Sequence, residues 1–120
     1  MRKKSDTLEV EKIKVWQGQI DYLRVANNKL RDRLATAIIK DVDIAFLEQA
    51  EHFNHKFMEM DQIIELMRHE IAGLSVTAAH TASGKTSVSF LRLRQDMERC
   101  EKEFHILEQS FLSHLEKLDY

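Results

Sequence analysis

The sequence predicts an all-α fold, an antiparallel up-down-up bundle of three long helices with coiled-coil-like heptads, expected to self-associate. Two observations lead there. No proline occurs in 120 residues. Three stretches also carry apolar residues at alternating steps of three and four, the spacing that lines one stripe of a helix. The chain is short enough to be one domain, residues 1–120, and its 43% apolar content is enough for a packed core.

The first helix is expected over about 6–39. Its stripe is Ile13, Trp16, Ile20, Leu23, Asn27, Leu30, Leu34 and Ala37. Asp6 and Glu9 form a capping-box-like pair at its start. Gly18 interrupts the helix and costs about 1 kcal/mol relative to alanine. Close approach of a neighbouring helix would account for it. Asn27 stands where the stripe wants an apolar residue. A polar residue there costs stability and fixes register and partner number, unless its amide reaches the bundle edge.

A turn is expected around 40–43, where no Gly or Pro marks the break. The sign is a phase slip: Ala37 and Asp41 continue the first stripe, and Phe46 starts another. Asp41 or Asp43 can cap the second helix. The alternative is one continuous helix of roughly 100 Å, which needs a partner chain along its length.

The second helix is expected over about 43–75, with Phe46, Ala50, Phe53, Phe57, Met60, Ile64, Met67, Ile71 and Leu74 as its stripe. Residues 76–86 are small and polar and read as a flexible loop. Thr86 or Ser87 then caps a third helix over about 87–118. Its stripe is Phe90, Leu93, Met97, Cys100, Phe104, Leu107, Phe111, His114 and Leu118, with Leu115 competing with His114 near the end.

Charge is distributed unevenly. Residues 1–40 hold ten Lys/Arg and five Asp/Glu, whereas residues 41–74 hold two and eight. A basic helix followed by an acidic one favours their antiparallel pairing, and Arg24, Arg31 and Arg33 sit at flanking positions suited to it. The overall charge of −2 gives no general attraction to nucleic acid or anionic membrane. No run is long and apolar enough for a membrane span. The basic N-terminus is followed by Glu9, Glu11, Lys12 and Lys14 rather than an apolar signal region. A cytoplasmic protein is the resulting expectation. The single cysteine, Cys100, cannot form an internal disulfide and reads as a small buried hydrophobe.

Two short patterns suggest chemistry. Ala79–Thr86 fits a loose phosphate-binding loop, in which backbone NH groups and Lys85 would hold phosphates. That loop requires a preceding strand, and an amphipathic helix stands there instead. His80-Thr81-Ala82-Ser83-Gly84 resembles the phosphoacceptor motif of histidine phosphotransfer domains, but Ser83 stands where that motif has Lys.

His52, His55 and Glu59 are the candidate metal ligands, since imidazole and carboxylate at these spacings can converge on one ion. Diiron bundles use Glu-x-x-His on two helices, and this chain has no Glu-x-x-His. A hemerythrin-like set also lacks its other histidine pairs. His52, His55 and His69 all point away from the stripe. The sequence calls for no cofactor.

The apolar set is wider than a strict seam. Val15, Tyr22, Leu47, Met58, Ile63, Leu66, Leu91, Ile106, Leu112 and Leu115 lie beside it. Three helices around one axis cannot bury all of them, and exposed apolar patches mark interfaces. Met58, Ile63, Leu66, Leu91 and Leu112 are therefore the candidate interface residues. Size and the tryptophan on helix one resemble spectrin-like repeats, a likeness of fold that implies no function. The expected function is non-enzymatic: a protein–protein interaction or scaffold bundle, acting as a homodimer. The alternatives are a metal-binding bundle using the helix-two histidines and a small regulator contacting nucleic acid through the basic first helix.

Overall fold

Lys4–Lys40 form α1, Ile44–His80 form α2 and Thr86–Leu118 form α3 in a computed structural model of the chain. The structure describes the backbone of 4–40, 44–80 and 86–118, and the side chains of 10–40, 44–76 and 89–117. All described residues lie in these helices, and no strand occurs among them. The molecule measures 64 × 20 × 18 Å. A 37-residue helix is about 55 Å long, so each element runs nearly the full length of the rod.

α1 and α2 are antiparallel: Asn27 meets Phe57, and Asp21 meets Arg68 further along. α3 reverses again, placing Phe111 against Phe53 and Phe57, and Phe90 against Trp16 at 4.8 Å. All three helix pairs touch, with α1 and α2 the most extensively packed and α1 and α3 the least. The helices form an up-down-up three-helix bundle. The continuous 1–2 helix is thereby ruled out, since α2 folds back along α1.

The core matches the apolar stripes. Among the described residues, every buried one belongs to one of them, including the nine on α2. Trp16, Phe57, Ile64 and Phe111 are nearly or wholly inaccessible to water. Burying side chains of this size contributes about 1.5–3 kcal/mol each, so these stripes hold the fold together. Ala37, Phe90 and Leu107 are half-buried against the core, as are the flanking Ile63, Leu112 and Leu115.

The helix ends depart from expectation. α2 continues five residues past Ser75, through Val76, Thr77, Ala78, Ala79 and His80. The residues there are small but not helix-breaking, and alanine is the best helix former, so an established helix propagates through them. Asp6 lies two residues inside α1 rather than before it. The turn at 41–43, with Asp41 and Asp43, and the remaining linker at 81–85 lie outside the described residues.

Charge pairing between α1 and α2 is present but weak. Arg31 reaches Asp61 at 3.9 Å, and Arg68 reaches Asp21 at 3.6 Å while gripping Glu65 on its own helix at 2.9 Å. These pairs are partly exposed, and such pairs contribute about 0.2–1 kcal/mol. The second one also runs against the overall asymmetry, since α1 supplies the acid.

Candidate functional site

Two grooves between helices are lined by described residues. The first lies between α2 and α3. It encloses about 440 Å³ and is lined by Lys56, Glu59, Met60 and Ile63 on one side and Glu103, Ile106 and Leu107 on the other. Its outer rim is apolar: Ile106 is 58% exposed, and so is more than half of Leu66, seven residues from the groove-lining Glu59. A seven-residue step returns to the same helical face, so Leu66 extends this surface.

The second groove lies between α1 and α3, encloses about 540 Å³ and carries Val15, Gly18, Tyr22, Glu101, His105 and Glu108. Leu91 and Leu112 fall on the same α3 face as His105, fourteen and seven residues away.

The structure therefore divides the candidate interface residues among three faces. Ile63 and Leu66 share the α2/α3 face. Leu91, exposed, and Leu112, half-buried, flank the α1/α3 groove. Met58 is exposed on a shallow acidic surface of α2 with Glu48, Glu51, Asn54 and His55. Asn54 Nδ2 rests 3.8 Å from the Met58 sulfur. Sequence reasoning placed these residues outside the seam but not on particular sides, because the side depends on which helix packs against each flank. Ile106 and Tyr22 belong to the two grooves as well; both were visible as off-seam apolar positions.

His55 and Glu59 pair at 2.7 Å, Nε2 to Oε1, on an exposed face. His52 turns toward Phe53, ring edge to face at 5.7 Å. Among the described residues no group of three or more His, Cys, Asp or Glu side chains converges as a metal site requires. No described helix is long and apolar enough to cross a membrane.

Among the described residues, three polar groups enter the core. Asn27 is fully buried and donates from Nδ2 to the Phe57 carbonyl at 3.1 Å, so its amide does not reach the bundle edge. Its Oδ1 has no partner, and neither has the buried Nε2 of His114. The His114 ring packs parallel to Phe46 at 6.1 Å and lies 5.4 Å from Phe53. Cys100 is buried, and its thiol is pushed up to about 11 by burial first and by Glu103 and Glu101 second. A protonated, inaccessible thiol is a poor nucleophile.

The phosphate-loop pattern begins at Ala79 and His80, on the last turn of α2 rather than after a strand, and Ser83, Gly84 and Lys85 lie outside the described residues. The same holds for the Ser83 and Gly84 of the phosphoacceptor-like pattern.

Comparisons with protein families, with curated proteins and with solved structures give no match for this chain.

Proposed function

We propose that this chain is a non-enzymatic interaction bundle that self-associates along the α2/α3 face. The carrying observation is the apolar rim formed by Leu66 and Ile106 beside half-buried Ile63. Exposed apolar side chains that cluster on one face favour association, because pairing removes them from water. The groove also supplies both signs of charge, Lys56 opposite Glu103 and beside Glu59. A two-fold copy brings its own Lys56 and carboxylates to the same contact, so each cation can meet a carboxylate of the partner. The unpaired, buried Cys100 fits a reducing compartment such as the cytoplasm.

Ile63→Glu with Leu66→Glu tests the reading. Light scattering should show a dimer for the wild type at micromolar concentration and a monomer for the double variant, with helix content by circular dichroism retained. Ile63 and Leu66 are already partly buried in the monomer, so the four side chains across a two-fold contact contribute roughly 2–5 kcal/mol, a substantial part of the ~8 kcal/mol of a micromolar complex. A monomeric wild type would refute self-association. Outright unfolding of the double variant would place both residues in the bundle's own core.

A further inference from the structure

We propose that the two copies pair antiparallel, with the two-fold axis at Ile63, so that Lys56 of each copy meets the partner's Glu70. The inference rests on the α2/α3 contact proposed above and fixes its orientation and register.

The α2 side of that face carries opposite charges at its two ends. Lys56 and Ile63 line the groove, and Glu70 stands one heptad further along the same line. The three are evenly spaced, with the apolar residue in the middle. Lys56 and Glu70 are both exposed, and among the described residues neither makes an ion pair. Fourteen residues put them about 21 Å apart along the helix. That exceeds the screening length of about 8 Å at physiological salt, so the two charges do not support one another within a chain.

A two-fold axis through Ile63 and across the rod reverses this line on the partner. Ile63 then packs on the partner's Ile63, and Lys56 meets the partner's Glu70 twice over. Ile63 also stands near the middle of the 37-residue α2, so the copies overlap along nearly their whole length. Such a contact is closed, and assembly stops at two.

Parallel pairing gives the opposite result. With α2 on α2, Lys56 faces Lys56 and Glu70 faces Glu70. With α2 on the partner's α3, level residues meet. Phe53 and Phe57 both touch Phe111, which puts Ile63 level with Glu103. Ile63 would then face the partner's Glu103, and one heptad on Glu70 would face the partner's Asp96. Like charges set opposite each other oppose association.

The remaining charges of the face tolerate the antiparallel form. Glu59 is already held by His55 on its own helix. Glu103 lies near the axis and faces its own copy. Exposed Arg99, one turn away on the same side of α3, supplies each copy with a cation for that pair of carboxylates.

Charge exchange tests the pairing, read by sedimentation of the full chain at low ionic strength. Lys56→Glu sets two carboxylates together at both ends of the contact and should weaken the dimer about tenfold. Glu70→Lys sets two cations together and should do the same. Combining both substitutions should return the dissociation constant to within about threefold of the wild type. The two single variants, mixed, should pair with each other in preference to themselves. Both positions are exposed, so circular dichroism should match the wild type throughout. The two positions are too far apart to compensate within one chain, so recovery has to cross the interface. Single variants that dimerise like the wild type, or a combined variant no tighter than the singles, would overturn this register. The α2/α3 face would still stand if Ile63→Glu plus Leu66→Glu gave a monomer. A monomeric wild type would overturn both.

Discussion

Asn27 is tied to Phe57 by a single hydrogen bond, Nδ2 to the backbone carbonyl at 3.1 Å, at a fully buried point where α1 meets α2. The carbonyl belongs to a helix interior and has its own intrahelical donor. It does not need Asn27. The Asn27 Oδ1 has no donor at all. The bond therefore sets α1 against α2 in one register while leaving a buried acceptor unsatisfied, which costs about 1–3 kcal/mol.

Asn27→Leu should accordingly raise stability by about 1–2 kcal/mol in urea denaturation, since it removes the orphaned acceptor and continues the apolar stripe. The variant should also lose uniqueness, visible as broadened amide resonances or a mixture of solution masses. A variant destabilised by more than about 1 kcal/mol would mean that leucine overpacks the site and that Asn27 was chosen for its shape.

The contrast between stripe and flank explains what the sequence disclosed. Phe57, Ile64 and Phe111 could be assigned to the core because a helix buries residues every three or four steps whatever its neighbours are. The sides of Ile63, Leu91 and Met58 could not, because a flank faces a groove only once the packing order of the helices is known. Ala78 and Ala79 read as loop through the company they keep, Ser, Thr and Gly. An established helix adds residues more easily than it starts, so α2 ran on to His80. His114 stands near the end of the α3 stripe, and which rings it meets, Phe46 and Phe53, could not be read locally, since these contacts join chain segments about sixty residues apart.

Cys100 should be silent toward thiol reagents in the folded state. Its thiol is raised from about 9 to about 11, chiefly by burial. The folded state therefore holds the proton more tightly than the unfolded one. Its contribution is fully present below about pH 9 and is lost as pH rises toward 11. Wild type should lose more stability than Cys100→Ala between pH 8 and about pH 10.5. Equal losses would show that the thiol titrates normally. Rapid native-state alkylation at pH 8 would show that it is exposed.

His114→Leu should stabilise the bundle by about 1 kcal/mol. The substitution removes a buried nitrogen without a partner and places an apolar side chain against Phe46 and Phe53. Thermal and urea midpoints should both rise. A drop would indicate that ring stacking on Phe46 outweighs the unsatisfied Nε2.

Phe57 and Ile106 separate folding from association. Phe57 is wholly buried and meets Phe111 edge to face at 5.1 Å. Phe57→Ala should cost about 3–5 kcal/mol, a large part of the 5–15 kcal/mol that holds a typical domain. Ile106 is more than half exposed on the α2/α3 rim, where a change to serine should alter monomer stability by no more than about 0.5 kcal/mol. The serine variant should still weaken self-association, because two copies of Ile106 leave water when the faces pair. Sedimentation across a concentration series measures the second effect, and urea denaturation of the monomeric Ile63→Glu, Leu66→Glu background measures the first. If Ile106→Ser leaves the dissociation constant unchanged, the apolar rim lies outside the contact, and the α2/α3 face is not the surface through which this bundle associates.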